Sequence, residues 1–180
     1  HHLLITRNVL DRVKNWGRVN PPLRDSEDND RIYKALLDGT VDTIGTDHAP
    51  HQLSEKNENY IKAPSGFPGF ETCLPLLLNE VNKGNLSLEL VEKITSKNSA
   101  EIFNLKDRGE IKEGYFADLV VVDMEKELKV NPENFKTKAK YSPFIDMDLK
   151  GDIDMTIVNG QIGYHENKLQ KTKGIELDYC

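Results

Sequence analysis

Apolar residues fall at helical spacing in the first half of the chain and at strand spacing in the second. Ile32, Leu36 and Leu37 recur behind an acidic opening, Ser26-Glu27-Asp28-Asn29-Asp30, and Gly39 follows the last of them. Acids favour a helix N-terminus and glycine its end, which predicts a helix over 27–37. Val41-Asp42-Thr43-Ile44-Gly45-Thr46 follows a tight Asp38-Gly39 connection, is rich in β-branched residues and predicts a buried strand. Beyond it, residues 47–68 form a polar loop whose 52–59 portion has no apolar period. Loops of that length in compact domains usually serve a function. Further helices are predicted at 71–82, at 88–95 with Ser87 as N-cap, and at 99–104.

After Leu105 the pattern changes. Apolar runs at 117–122 and 155–158 read as strands, and Asn159-Gly160 reads as a type I′ turn leading into a partner strand at 161–164. A lysine-rich loop is expected at 136–140 and a frayed tail at 167–173. The chain is thus expected to divide into an α/β part, 1–104, and a small mostly-β part, 105–180.

Composition narrows the partners. With 180 residues there is room for one ordinary domain or for part of something larger. Lys plus Arg total 24 against 30 Asp plus Glu, a net charge of -6 with no basic arm, so no nucleic-acid partner is expected. Trp16, Tyr33 and Tyr60 are too scattered for a base-stacking platform. The apolar stretch around 74–78 is broken by Pro75 and falls far short of the roughly 20 residues of a bilayer span, so no membrane is expected either. Cys73 and Cys180 support neither a disulfide framework nor an all-cysteine zinc site, which suits a cytoplasmic setting. The opening His1-His2-Leu3-Leu4-Ile5 has no Met and no signal region. Its two histidines suit either a tag remnant or, as the rest of the chain argues, a start cut from a longer protein.

The sharpest chemical constellation is Thr46-Asp47-His48-Ala49-Pro50-His51, at the C-terminal end of the predicted strand. In a parallel α/β barrel that end is the catalytic face. An isolated Asp-His pair more often caps a turn. Three such groups in six residues beside a proline favour chemistry instead. Asp47 can bind a divalent ion through one oxygen and accept a proton through the other, while His51 can hold an anion or polarise a carbonyl. The cluster cannot complete a zinc site, which takes three or four ligands. Cys73 lacks a neighbouring base and reads as inert, Leu74, Leu76, Leu77 and Leu78 read as core, and Gly66-x-x-Gly69 reads as a turn feeding a helix.

The hexapeptide 46–51, the segment Asn20-Pro21-Pro22-Leu23-Arg24 and the opening His1-His2-Leu3-Leu4 together resemble the dihydroorotases of the long bacterial and archaeal type, in the amidohydrolase superfamily. The resemblance continues through residues 65–72, 96–103 and 109–123 and so covers nearly the whole chain. It implies an α/β fold: the C-terminal part of a metal-dependent-hydrolase (β/α)8 TIM barrel plus a small β-sandwich-like domain. It implies a zinc-dependent cyclic amide hydrolase that interconverts N-carbamoyl-L-aspartate and dihydroorotate in pyrimidine synthesis. Zn2+, one or two per intact protein, would be held mostly by ligands outside this chain. Residue by residue, Asp47 matches the family's metal-binding aspartate and general base or acid. Asn20 and His51 match substrate-binding residues, and Ser65 and Gly66 match a pair whose backbone meets the substrate. Many relatives carry Phe at the Ser65 position. His48 takes no ligand role from the resemblance, nor do His1, His2 and Arg24. The implied partners are the small-molecule substrate and the missing N-terminal part of the same protein. A homodimer or an aspartate transcarbamoylase complex stays open. Two other readings remain: an allantoinase or hydantoinase on the same scaffold, and a catalytically silent subunit that organises aspartate transcarbamoylase.

Overall fold

In the computed structural model, which describes residues 1–179, the chain opens with a short helix, α1 (Val9–Val13), and a 3-10 turn, Lys14–Gly17. Apolar spacing does not predict either, because a helix this short shows no period. The predicted helix over 27–37 is α2 (Ser26–Leu37). Its N-cap residue Asp25 makes no side-chain cap bond and instead pairs with Arg7 Nε at 2.7 Å. Leu36 is buried, and Gly39 ends the helix at a φ of 81°.

Residues 41–46, predicted as a buried strand, join no ladder and are half-buried or exposed. Their polar groups are met elsewhere: Val41 N–H donates to Ala35 O (2.9 Å) and Ile44 N–H to Ile94 O (3.2 Å), while Asp42 O accepts from Asn98 Nδ2 (2.7 Å). A buried parallel strand takes its bonds from neighbouring strands. Among the described residues the parallel pairing here is one isolated bridge, His48 with Phe67.

The 47–68 loop is ordered locally by α3 (Leu53–Lys56), closed by a capping box between Gln52 and Glu55. Helix α4 (Phe70–Asn82) runs through Pro75, and Leu76, Leu77 and Leu78 are buried as expected of core residues. Helix α5 (Leu88–Glu92) starts where predicted, with Ser87 Oγ accepting Leu90 N–H at 3.1 Å. The two helices predicted at 88–95 and 99–104 are one helical run, because a π-helical turn, Lys93–Lys97, joins α5 to α6 (Asn98–Ile102). A π turn shifts the side-chain phase, so the apolar spacing looks interrupted.

Strands β1 (Leu119–Lys129), β2 (Asp148–Val158), β3 (Gln161–His165) and β4 (Lys168–Leu169) form a four-stranded sheet in chain order. Val158 pairs with Gln161 across Asn159-Gly160, whose φ angles of 50° and 76° are the left-handed pair that a type I′ turn needs. Strands β1 and β2 outrun their predicted apolar cores. Their charged extensions are joined by Lys126 to Asp152 at 2.8 Å and Lys150 to Glu125 at 2.6 Å.

Among the described residues the β part is a single sheet, and Val120, Val121 and Ile162 on it are exposed. The second layer of a sandwich would cover such positions. The expected frayed tail is corrected: β4 pairs with β3, and further on Lys106 N–H donates to Asp178 O at 2.9 Å. Cys180 lies outside the described residues. No helix among the described residues is long and apolar enough to cross a membrane.

The chain divides into two compact units, each drawn from separated segments. The first comprises His1–Val41, Gly45–Cys73 and Lys129–Leu149, around Leu23, Leu36, Phe67, Tyr141 and Phe144. The second comprises Asp42–Ile44, Leu74–Leu128 and Lys150–Cys180. Within the second unit Asn82 Nδ2 ties α4 to the sheet, donating to Met124 O (3.0 Å) and Lys150 O (2.9 Å), and Asn79 Oδ1 accepts Lys150 N–H (3.1 Å). Asn82 is exposed, so losing the amide that meets two strand carbonyls costs about 0.5–1.5 kcal/mol. Asn82→Ala is therefore expected to lower the urea midpoint of unfolding by that equivalent, with the m-value unchanged.

Candidate functional site

The site is built where segments 46–51 and 65–70 of the first unit lie side by side. Ala49 N–H donates to Phe67 O at 3.2 Å beside the His48–Phe67 bridge. Two glycines allow this approach. A Cβ on Gly66, whose φ is 118°, would stand 2.6 Å from Ala49 O, and a Cβ on Gly69 would stand 2.9 Å from Thr46 O. No real side chain tolerates the first distance, so Gly66-x-x-Gly69 is a docking edge as well as the turn that feeds α4.

His48 fastens the same junction. Its Nδ1 accepts the N–H groups of Gly69 (3.1 Å) and Phe70 (3.3 Å), and its ring stacks on Phe70 with centroids 3.8 Å apart. Two donors on Nδ1 leave the ring proton on Nε2. The loop hydrogen bond expected of His48 is therefore a cap on the N-terminus of α4.

Of the residues singled out by sequence, His51, Ser65 and Gly66 are brought together. His51 Nε2 lies 3.0 Å from Ser65 O, and because a carbonyl only accepts, Nε2 is the donor. The backbone N–H of His51 donates to Tyr141 Oη at 2.9 Å. Asp47 is exposed and sits at a φ of 47°, a left-handed conformation that Asp tolerates better than most residues. Burial lowers the pKa of His2, and the negative charge of Asp47 opposes that shift. Asn20 is exposed and is not among the side chains bonded to this group. Its neighbour Arg18 is in the group by its backbone, since Arg18 O accepts Gly66 N–H at 2.9 Å.

Among the described residues no group of three or more His, Cys, Asp or Glu side chains could hold a metal ion. A zinc centre needs three or four ligands. These residues do not form a complete metal site, and Asp47 offers one accessible carboxylate toward one. Burial raises the pKa of Cys73, which disfavours its thiolate and agrees with an inert thiol. An open cavity of about 550 Å³ in this unit is lined by Arg12, Lys14, Trp16 and Lys56 among others. None of the residues expected to bind substrate lines it.

Lys56 and Tyr141 were not found by sequence reasoning, because a lysine in a polar loop reads as solvated and Tyr141 lies 90 residues from its partner His51. Lys56 is fully buried, and Nζ donates to Gly66 O (2.8 Å), Pro64 O (2.9 Å) and Arg18 O (3.3 Å). The segment 52–64 of the polar loop is therefore pinned. Asn15 Nδ2 to Glu58 O (2.7 Å), Trp16 Nε1 to Asn57 Oδ1 (3.1 Å) and the Arg18 guanidinium to Tyr60 O pin it further. Burial, followed by the nearby Arg18 charge, lowers the Lys56 pKa to about 8 from an ordinary 10.5. Between those two values the unfolded chain holds the proton that the folded chain has released, so stability rises with pH. The unfolding free energy of wild type minus that of Lys56→Met should climb over this window by up to about 1.4 kcal/mol per pH unit. Urea unfolding at a series of pH values reads it, and a flat difference would mean that Lys56 titrates normally.

Residues 11–163 match the amidohydrolase family. The chain is 44% identical over 173 residues to a dihydroorotase of Methanosphaera stadtmanae, a match covering 95% of this chain and 39% of that protein. It is 47% identical over 164 residues to a dihydroorotase of Endomicrobium trichonymphae, covering 90% of this chain and 39% of that one. Among solved structures, L-hydantoinase (dihydropyrimidinase) from Arthrobacter aurescens superposes with a TM-score of 0.89 at 32% identity, over 98% of this chain and 39% of that chain. D-Hydantoinase (dihydropyrimidinase) from Thermus sp. gives 0.88 at 26% identity, over 96% and 39%. The chain thus spans 39% of the length of these relatives. With the family match running from within α1 into β3, through both the paired segments 46–51 and 65–70 and the sheet, the chain belongs to the amidohydrolase family.

Proposed function

We propose that the protein carrying this chain is a dihydroorotase, which opens and closes the ring between dihydroorotate and N-carbamoyl-L-aspartate. The carrying observation is the 44% and 47% identity to proteins named dihydroorotase, sustained over 95% and 90% of this chain. Residues 1–104 would be the last strands and helices of the barrel and 105–180 the small β domain. The rest of the barrel would come from the remainder of the protein, in the cytoplasm, as a homodimer or beside aspartate transcarbamoylase.

Zn2+, one or two ions held chiefly by that remainder with Asp47 as one ligand, would supply a nucleophile at neutral pH and polarise the ring carbonyl. This chain contributes a base and a grip. The exposed Asp47 carboxylate takes the proton of the attacking water and returns it to the leaving ring nitrogen. His51 grips the substrate carboxylate, with Nε2 already donating to Ser65 O at 3.0 Å. Donation from its other nitrogen then requires the doubly protonated ring, which also complements an anion. Asn20 offers an amide donor and acceptor to the ring, and Ser65 and Gly66 present backbone to it. The 0.89 superposition on L-hydantoinase favours one second reading, a hydantoin-type ring without the carboxylate.

Turnover of dihydroorotate and of an uncharged hydantoin by the full-length protein separates the two. Asp47→Asn is expected to lower kcat on dihydroorotate by at least about 100-fold. His51→Ala should raise KM for dihydroorotate and leave any hydantoin KM unchanged. Faster hydantoin turnover that ignores His51→Ala would sink the dihydroorotate reading, and turnover of neither would favour a silent subunit.

A further inference from the structure

Three consecutive peptide carbonyls at the edge of the site are all taken up by side chains. Pro64 O and Gly66 O accept from Lys56 Nζ at 2.9 and 2.8 Å, and Ser65 O, between them, accepts from His51 Nε2 at 3.0 Å. The third Lys56 donation, to Arg18 O at 3.3 Å, closes a loop, because Arg18 O also accepts Gly66 N–H at 2.9 Å. An ammonium has three N–H donors and here meets three carbonyl acceptors.

A fully buried lysine is rare unless its charge is compensated, and an apolar side chain of similar volume would fill the same space without the desolvation penalty. What an apolar residue could not do is hold the carbonyls on both sides of Ser65 toward one point. The second half of the arrangement is Tyr141, fully buried, with its ring centroid 5.7 Å from Lys56 Nζ and its hydroxyl accepting the His51 N–H at 2.9 Å. Lys56 therefore fixes the 64–66 strip, Tyr141 fixes His51, and the two fixing residues pack on each other.

We propose that Lys56 is a positioning residue for substrate binding, which with Tyr141 holds Ser65-Gly66 and His51 in register as one rigid anion-and-ring cradle. It touches no reacting atom itself. The proposal rests on the reading that His51, Ser65 and Gly66 meet the substrate.

The test uses the full-length protein with Lys56→Met and, separately, Tyr141→Phe, which removes only a hydroxyl. Loss of positioning weakens ground-state and transition-state binding alike, so KM should rise about tenfold for Lys56→Met and about threefold for Tyr141→Phe, with kcat nearly unchanged. Bound metal, measured in the same samples, should not change. Amide hydrogen exchange at 64–69 should accelerate in Lys56→Met while exchange in α2 stays as in wild type. Unchanged KM together with unchanged exchange overturns the proposal, as does a fall in kcat at constant KM, which would place Lys56 in the chemical step. Should Lys56→Met not fold, Tyr141→Phe decides by KM and by exchange at the His51 amide, which loses its acceptor. If wild type turns over no dihydroorotate, the substrate reading fails separately. Exchange then decides alone: acceleration confined to 64–69 upholds the brace, and no acceleration overturns it.

Discussion

The arrangement of the first unit depends on how closely two backbone segments can approach. Residues 46–51 and 65–70 lie so near each other that at Gly66 and Gly69 even a methyl group would collide with a carbonyl oxygen of the facing segment. Once that approach is granted, the rest follows from unsatisfied polar groups finding partners. His48 caps the helix that leaves the second segment, Ala49 and Phe67 share a backbone bond, and His51 reaches Ser65.

Buried charge serves the same end. The Lys56 ammonium is withdrawn from water, and the hydrogen bonds it makes run to peptide carbonyls, without a carboxylate among them. Carbonyl dipoles compensate a cation directionally, so the ion constrains the orientation of each peptide it touches. A salt bridge in its place would satisfy the charge and leave those peptides free to turn.

Features governed by local chemistry were legible in the sequence. Ser87 caps a helix because a hydroxyl there meets an orphan N–H, and Asn159-Gly160 turns a hairpin because both residues accept left-handed angles. Asp47, His48 and His51 were legible as a cluster because they are adjacent in sequence. Features governed by distant neighbours were not. Residues 41–46 have the composition of a strand, yet a strand exists only with partners, and among the described residues they join no ladder; the isolated bridge of His48 with Phe67 lies just beyond them. Strands β1 and β2 extend through charged residues because cross-strand ion pairs replace the apolar alternation on which sequence reading relies. The burial of Lys56 depends on carbonyls contributed by residues 18, 64 and 66, so nothing in its own neighbourhood of the chain reveals it.

The first unit draws one of its three segments, Lys129–Leu149, from beyond a long stretch assigned to the second. That segment carries Tyr141, on whose hydroxyl the His51 backbone rests. During synthesis the chain emerges in order, so residues 1–73 leave the ribosome well before the segment that completes their core. The nascent first unit must wait, with Phe67 and its neighbours uncovered, until residue 149 has appeared. Contacts of such long sequence separation slow folding and prolong the exposure of apolar surface while the chain is being made.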